Sequence, residues 1–456
     1  MKTQRPVWEM LSGASQRTSG HMPGHKGRSP FGVRDLYALD TTELPITDDL
    51  YSPERGLKEA QRLYARAAGS GAALFLHNGS TVGNHILLQL YAREGDLVLL
   101  PRNAHLSAVN GCVLGGLRAA WIPARVTEDD YAYVAERDVL EAMERYPQAK
   151  AVFLTRPDYY GGCLPLERIA ARAHEMGMKL VVDEAHGAHL PWLDTLPDAG
   201  RCGADAWVQS VHKLLPGLTG SAVLHLRNPE EEPAARRILR REQTSSPSFL
   251  LMLSIDDSRA LMEEEGPARL QRLIDRLADL RRRLPMWGYT DCFEKWQRLP
   301  LTFDPTRLVI EAPQGGHMLA EQLQKLGIDA EMADARRCVL LFSVMTEMEE
   351  IDAVERALET TSSASLRSAP SPKGEGLDSE LSNQTFPFRE RWVEAPDEVV
   401  LSLRAAAMAE GEWVPLDRAE GRVAGQSMGL FPTGIPLAVP GERITREIME
   451  RLNSAG

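Results

Sequence analysis

The amino-acid sequence predicts an α/β protein whose main sheet is largely parallel. Between residues 57 and 226, short apolar segments alternate with segments that have the periodicity of amphipathic helices. Strands that are apolar along their whole length are typical of parallel sheets, because helices cover both faces of such sheets. We therefore expect one sheet from the apolar segments. They are residues 72–76, 96–101, 119–123, 151–155, 179–183, 206–210 and 221–226.

The chain is long enough for several domains, since 456 residues exceed one ordinary hydrophobic core. A charged helical run near 268–284 precedes a second, shorter α/β pattern, and a stretch rich in Ser, Pro and Gly follows. That composition is typical of linkers and flexible loops. The predicted divisions are an N-terminal arm (1–56), a large domain (57–299), a small α/β domain (300–360), a linker or flexible loop (361–385) and a C-terminal domain (386–456).

Charge and cysteine usage exclude several classes of protein. A formal net charge of −12 argues against binding to nucleic acid or to an anionic membrane surface. No apolar run approaches the roughly 18 residues that a membrane-spanning helix needs. The cysteines form no CxxC pair, which favours reduced thiols and a cytoplasmic location. They are Cys112, Cys163, Cys202, Cys292 and Cys338.

The segment DAWVQSVHKLLPGLTGS carries a lysine directly after a predicted strand. Ser210, His212 and Lys213 end the apolar run, and a loop rich in Gly, Pro and Thr follows. A lysine buried there has a lowered pKa and can form an imine with an aldehyde. Ser210 and His212 could bind an anion beside that imine. The alternative is an ordinary surface lysine, and Lys26 in HMPGHKG is a weaker candidate because it precedes every strand of the predicted sheet.

The segment HNGSTVGNH (77–85) follows the first predicted strand and begins a predicted helix. Gly79 permits a tight turn, and Ser80 and Thr81 place hydroxyl groups and backbone amides at the helix N-terminus. A phosphate fits there, because the helix dipole leaves about half a positive charge at that end. Capping by Ser or Thr without any ligand is the alternative.

The segment KLVVDEAHGAHL places Asp183 at the carboxyl end of a predicted strand, where open α/β sheets bind ligands. An aspartate that faces a pyridine nitrogen keeps that nitrogen protonated, which makes the ring an electron sink. A helix cap or a metal site are alternatives, because DEAHGAH holds several ligand types at close spacing. His105 could stack on such a ring or be an ordinary loop histidine. Together, the imine-forming lysine, the anion site and the acid indicate pyridoxal 5'-phosphate (PLP).

Several motifs in a fixed order resemble one known family. The segments HMPGHKG, TELPITDDL, HNGST, RNAH, VDEAH and SVHK resemble those of the Orn/Lys/Arg decarboxylases, PLP enzymes with the aspartate-aminotransferase fold. GIDAEMAD and FPTGIPLAVPGE resemble later parts of the same family. The resemblance implies α-decarboxylation of lysine, ornithine or arginine to a di- or polyamine with release of CO2, as in polyamine biosynthesis. It also implies a homodimer with active sites at the interface, in the short form without the N-terminal wing domain.

The resemblance further implies a role for each candidate residue. Lys213 would hold PLP as a Schiff base, Asp183 would contact the pyridine nitrogen, and His105 would stack on the ring. Lys213 or His212 would return a proton to the substrate, and Glu331 would bind the substrate's distal cation. The other cofactor contacts would come from Gly79, Ser80, Thr81, His186, Ser210 and His212, with Thr244 or Ser245 reaching the neighbouring subunit's phosphate.

Two departures from the family pattern concern the C-terminal region and, through it, the substrate pocket. FPTGIP stands in place of YPPGIP, and Gln426 stands where a glutamate is common. One alternative is another PLP activity on the same scaffold (aminotransferase, aldolase or β-lyase), in which Arg336 or Arg337 could hold the substrate carboxylate. The other is a degenerate relative without activity, which the intact Lys213 and Asp183 disfavour.

Overall fold

The computed structural model describes residues 17–26, 28–29, 32, 36–44, 47–362, 402–429 and 435–453. Three predicted features fall partly outside these residues. They are most of the linker predicted at 361–385, the first residues of the predicted N-terminal and C-terminal divisions, and the FPTG part of the FPTGIP motif. The predicted domain boundaries therefore stay predictions.

The central element is a seven-stranded sheet that confirms the predicted, mainly parallel architecture. Neighbouring strands are parallel except for Ala222–Leu226, which is antiparallel to the strands on both of its sides. The order across the sheet is Ala72–Leu76, Ala222–Leu226, Ala206–Gln209, Lys179–Asp183, Ala151–Thr155, Leu97–Pro101 and Arg118–Ile122. Each strand lies within one or two residues of its predicted position.

Both faces of this sheet are buried, which explains the continuously apolar strands. Along Leu97–Pro101, Val98 and Leu100 belong to the hydrophobic core on one face, whereas Leu97 and Leu99 belong to the core on the other. Side chains of successive strand residues point to opposite faces, so every position needs an apolar residue.

Helices pack closely on the sheet. At Gly83, for example, an added Cβ atom would lie only 2.4 Å from Val208 Cγ2. The α-helices are Leu36–Leu39, Gly56–Ala68, Gly79–Tyr91, Leu106–Gly115, Glu136–Arg145, Glu167–Glu175, Val211–Leu214, Glu232–Glu242, Phe249–Glu264, Gly266–Arg283, Cys292–Lys295, Gly316–Lys325, Met348–Thr360, Leu403–Met408 and Arg446–Asn453. Within the described ranges, none of the helices combines the length and the apolarity needed to cross a lipid bilayer.

A smaller, four-stranded sheet forms the second layered unit. Its order is Thr290–Asp291, Arg307–Glu311, Arg337–Leu341 and Met332–Ala333, and all neighbours are antiparallel. Leu319, Leu323, Val354 and Leu358 of two helices pack with it in one core. This small sheet begins before residue 300, where the sequence predicts the boundary.

Short strand pairs lie outside these two sheets, and two of them join distant parts of the chain. Thr18–Gly20 is parallel to Ile328–Ala330, and Thr302–Phe303 is antiparallel to Gly162–Cys163. Two further antiparallel pairs are Arg125–Val126 with Ala132–Tyr133 and Met428–Gly429 with Pro436–Ala438. The first pair matters most for the site described below, because it attaches the N-terminal segment to the strand that ends directly before Glu331.

The C-terminal region is fixed to the main sheet by a buried ion pair. Arg102, directly after strand Leu97–Pro101, lies 3.3 Å from the Glu442 carboxylate and also donates to the Leu437 carbonyl at 3.2 Å. Its guanidinium lies over the Trp121 ring, 5.1 Å from the ring centroid. Removal of one partner of a buried ion pair is strongly destabilising, because the other charge then stays buried without its counter-ion. The contact between the C-terminal region and the main sheet is therefore costly to break.

Candidate active site

A cavity opens at the carboxyl ends of the parallel strands. Asp183 ends one strand and Thr155 ends the adjacent one, and these two residues are paired in register. Lys213 lies on the short helix that follows the next strand. The cavity has a volume of about 110 Å³. The lining residues are Met22, Ser80, Asn103, His105, Thr155, Pro157, Asp158, Tyr159, Asp183, Ala185, His186, Lys213 and Ile435.

Asp183 is held by two donors. Asn84 Nδ2 donates to Asp183 Oδ2 at 2.7 Å, and the Ala185 amide donates to Oδ1 at 3.0 Å. Asn84 is itself buried, and the same nitrogen lies 2.8 Å from Ser107 Oγ. Asn84 was not among the predicted residues. Its position on the helix that begins with Gly79, close to a glycine that allows tight packing on the sheet, is the signal that could have identified it.

Lys213 is in contact with a histidine that follows Asp183. Lys213 Nζ lies 2.9 Å from His186 Nε2. Burial lowers the pKa of Lys213, and the negative charges of Asp183 and Glu331 oppose that effect. Burial also lowers the pKa of His186 far below its usual value, with a further contribution from the charge of Lys213. A neutral imidazole thus faces an amine that loses its proton more readily than an exposed lysine does.

His105 caps the helix Leu106–Gly115. The Ser107 amide donates to His105 Nδ1 at 3.1 Å, so Nε2 carries the proton in the neutral ring. Burial is the main cause of its lowered pKa. The hydrogen bond from the Ser107 amide therefore fixes the orientation of the His105 ring in the cavity wall.

Of Gly79, Ser80, Thr81 and Ser210, which are predicted to bind the phosphate, only Ser80 lines the cavity, and the others lie next to it in the chain or in contact with it. Ser80 lines the cavity, and Ser210 Oγ donates to Ser80 Oγ at 2.8 Å. Gly79 has a φ of +70°, and its amide donates to the Gly220 carbonyl at 2.8 Å. Thr81 is exposed in the same first helical turn, whose amides have no acceptor within the helix.

Three further predicted residues, His212, Thr244 and Ser245, are not part of the cavity wall. His212 does not line it: its Nδ1 lies 3.0 Å from the Ser221 carbonyl, and burial lowers its pKa to about 4. Thr244 and Ser245 are exposed, and the Thr244 carbonyl accepts a hydrogen bond from Tyr51. The described chain alone therefore does not bring Thr244 or Ser245 to the cavity.

Glu331 is held by two donors that the sequence did not indicate. Tyr159 OH donates to Glu331 Oε1 at 2.6 Å, and the Met22 amide donates to Oε2 at 2.8 Å. Both Met22 and Tyr159 line the cavity. The Tyr159 ring also packs edge-on against the His186 ring, with centroids 5.1 Å apart. These contacts connect Glu331 to Lys213 through one tyrosine and one histidine.

The acids and histidines of DEAHGAH face different partners. Glu184 is buried beside Arg156, 3.2 Å away, and accepts from the Ala199 amide at 2.7 Å. His189 lies 3.1 Å from Asp304. Only Asp183 and His186 of this segment's acids and histidines line the cavity, so its ligand-type side chains do not converge on one point.

Arg336 and Arg337, which an aminotransferase could use for a carboxylate, are engaged with acids of the protein. Arg337 lies 3.0 Å from Asp334 and 3.4 Å from Asp129. Arg336 is 3.5 Å from Asp130. Neither arginine lines the cavity.

Comparisons with known proteins identify the family. The model of "Orn/Lys/Arg decarboxylase, major domain" matches residues 14–308, and that of the "C-terminal domain" matches residues 385–455. YaaO of Bacillus subtilis is 30% identical over 98% of this chain and 93% of its own length. Arginine decarboxylase of Bacillus subtilis is 28% identical over 94% of this chain and 88% of its own length.

A solved structure shows the same fold. Lysine decarboxylase A of Pseudomonas aeruginosa superimposes with a TM-score of 0.72 at 18% identity, over 91% of this chain and 69% of that chain. The fold is that of PLP-dependent enzymes of fold type I. The chain belongs to the Orn/Lys/Arg decarboxylase family, and it is a PLP-dependent amino-acid decarboxylase.

The residues present fit this cofactor. Among the described residues, Asn103 Oδ1, Thr155 Oγ1 and His186 Nδ1 are buried on the cavity wall without a hydrogen-bond partner. Buried polar atoms in this state are rare in proteins, so they suit a polar molecule bound in the cavity. Lys213, Asp183 and the N-terminus of the helix Gly79–Tyr91 would supply the other contacts to PLP.

Proposed function

We propose that the protein removes the α-carboxyl group of a basic amino acid (lysine, ornithine or arginine) as CO2 and releases the corresponding di- or polyamine. The observation that carries this proposal is the position of Glu331, an acid fixed by Tyr159 and the Met22 amide beside the cavity that contains Lys213. A carboxylate oriented in this way suits a distal ammonium or guanidinium group through a charge-assisted hydrogen bond.

The cofactor supplies the chemistry of the reaction, because PLP acts as an electron sink for the bond that is broken. Lys213 would hold the cofactor covalently through its Nζ atom. Asp183 would keep the proton on the pyridine nitrogen, and the hydrogen bond from Asn84 would hold that carboxylate in place. His105 would cover the ring, and Ser80, Thr81 and Ser210 would bind the phosphate.

The proton that replaces CO2 comes from Lys213. The contact of 2.9 Å between Lys213 Nζ and His186 Nε2 supports this assignment, because it holds the amine at the cavity wall. His212 is less suited to a direct transfer, since it does not line the cavity and its Nδ1 faces the Ser221 carbonyl. We assign His212 to support of the loop that follows Lys213.

We further propose a homodimer in the cytoplasm that takes part in polyamine biosynthesis. The exposed position of Thr244 and Ser245 supports a role of this loop at the neighbouring subunit's phosphate site. The cysteines support a reducing compartment, because all five are free and buried.

The test is a measurement of CO2 and amine release from a panel of amino acids, with the wild type and Lys213→Ala. We expect release from at least one of lysine, ornithine and arginine, and loss of that release in Lys213→Ala. Lys295→Ala is the matched control, because Lys295 pairs with Glu311 at 2.7 Å on the small sheet, away from the cavity. CO2 release only from acidic or neutral amino acids would contradict the proposal.

A further inference from the structure

The N-terminal segment 17–26 runs along the small sheet toward the active site. Its strand Thr18–Gly20 is parallel to Ile328–Ala330, the strand that ends directly before Glu331. Arg17 forms two hydrogen bonds with the Asp329 carboxylate, at 2.5 and 2.7 Å. One end of the segment is therefore attached to the strand that directly precedes Glu331.

The next residues contact both Glu331, which two lining residues hold beside the cavity, and the helix that carries Lys213. The Met22 amide donates to Glu331 Oε2 at 2.8 Å, and the Gly24 amide donates to the His212 carbonyl at 2.7 Å. His212 directly precedes Lys213. Two amides that are two residues apart thus contact the acid on one side and the lysine-bearing helix on the other.

Gly24 fits between two backbones without room for a side chain. A Cβ atom at this position would lie 2.6 Å from the Leu215 carbonyl oxygen and 2.7 Å from the Leu214 carbonyl carbon. Ser343, which follows the small-sheet strand Arg337–Leu341, donates to the Gly24 carbonyl through its hydroxyl group. Because the close neighbours of the missing Cβ are backbone atoms, even a methyl group would push the segment away from the lysine-bearing helix.

Lys26 anchors the far end of the segment. Its side chain is buried, and Nζ donates to the His21 carbonyl at 2.5 Å and the Leu341 carbonyl at 3.0 Å. A buried ammonium group is costly unless it is hydrogen-bonded, so these two carbonyls fix its position. They belong to the segment itself and to a central strand of the small sheet. Lys26 therefore closes the turn that contains Met22 and Gly24.

We propose that segment 17–26 sets the distance between Glu331 and Lys213, and that Gly24 and Lys26 are positioning residues that determine the length of substrate side chain the enzyme accepts. The inference rests on the proposed function, in which the substrate's amine meets the Lys213 end and its distal cation meets Glu331. A displacement of about 1 Å at a reacting group can cost about a hundredfold in rate, so small shifts of this segment discriminate between substrates.

The test compares the holoenzymes of wild type, Gly24→Ala and Lys26→Met. We expect the ratios of kcat/KM among ornithine, lysine and arginine to change by about tenfold or more in both variants. The relative affinities for the three product amines, measured by calorimetry, are expected to change in the same direction. Gly56→Ala is the matched control, because a Cβ atom there meets nothing within 4 Å. If Gly24→Ala does not fold, Lys26→Met carries the same comparison.

The outcomes separate this inference from the proposed function. A uniform fall for all substrates, with unchanged ratios and unchanged relative amine affinities, would show that the segment only stabilises the fold and would overturn the inference. Wild-type protein that releases CO2 from none of the three basic amino acids would overturn the proposed function, and the inference with it.

Discussion

The hydroxyl group of Tyr159 lies 2.6 Å from Glu331 Oε1, and this contact joins a loop of the main sheet to the small sheet. The ring of the same tyrosine packs against His186, which contacts Lys213. One residue therefore touches both the acid that we assign to substrate selection and the partner of the lysine. The contacts of Tyr159 therefore couple the position of Glu331 to that of the His186–Lys213 pair.

Tyr159→Phe removes one of the two donors to Glu331 but keeps the ring against His186. A hydrogen bond to a charged group contributes about 1.5–3 kcal/mol, so we expect KM for a basic amino acid to rise about tenfold or more, with a smaller change in kcat. Steady-state kinetics measures this effect. Tyr146→Phe, on a helix end away from the cavity, should change neither constant. An unchanged KM would mean that Tyr159 does not orient the acid.

Glu331→Gln keeps the shape of the side chain but removes its charge. Loss of a charge-assisted bond predicts a rise in KM of about ten- to a hundredfold for cationic substrates, whereas the affinity for PLP stays the same. Kinetics and an equilibrium titration with PLP measure the two effects separately. Glu349→Gln is the control, because Glu349 is exposed on the helix Met348–Thr360. Equal losses of substrate and PLP binding would argue against a role in substrate selection.

Asn84→Ala removes the donor that holds Asp183 Oδ2. We expect weaker PLP binding by about tenfold, because the aspartate loses a hydrogen bond of 2.7 Å to its charged form. The dissociation constant from quenching of protein fluorescence by PLP measures this effect. Asn110→Ala changes an exposed asparagine on the helix Leu106–Gly115 and serves as the control. Identical PLP affinity in wild type and Asn84→Ala would refute the proposed contribution.

The stability of the fold should fall in mild acid because of His225. This histidine is fully buried, stacks on Trp207 with ring centroids 5.0 Å apart, and has a pKa that burial lowers from 6.5 to about 3. The unfolded chain binds a proton below pH 6.5 that the folded chain does not bind, so stability is complete above that pH and decreases as the pH falls toward 3.

From pH 7.5 to pH 5, the expected loss from His225 is about 2 kcal/mol, at 1.36 kcal/mol per pH unit. Urea unfolding at the two pH values measures it. His225→Gln should lose less stability on acidification than the wild type. His317→Gln, which changes an exposed histidine, should behave like the wild type. The same acid-dependent loss in His225→Gln and the wild type would assign the effect to other groups.

The sequence predicts the main sheet well because its signal is local. Strands such as Leu97–Pro101 are apolar on both faces, and that pattern is visible in a few residues. Lys213, Asp183, Ser80 and His105 could be selected for a similar reason, since each follows or ends a predicted element. The structure places these four around one cavity, although their roles stay predictions.

The residues that the sequence did not indicate depend on long-range contacts. Asn84 meets Asp183 across 99 positions of the chain, and Met22 meets Glu331 across 309 positions. Tyr159 looks like any loop tyrosine until the small sheet brings Glu331 to its hydroxyl group. For His212 the sequence misleads instead. Its neighbour Lys213 suggests a place at the cavity, but on the short helix Val211–Leu214 its ring contacts the Ser221 carbonyl. Sequence spacing does not contain the direction of a side chain on a four-residue helix.

The ion pair between Arg102 and Glu442 has a consequence for engineering of the carboxyl terminus. Arg102 directly precedes Asn103 in the wall of the cavity, and Ile435, shortly before Glu442, belongs to the same wall. A truncated protein that stops at residue 401 would lack Ile435 and would leave the guanidinium beside Trp121 without its carboxylate. The last part of the chain is thus not a removable appendage, and a minimal version of this enzyme has to keep it.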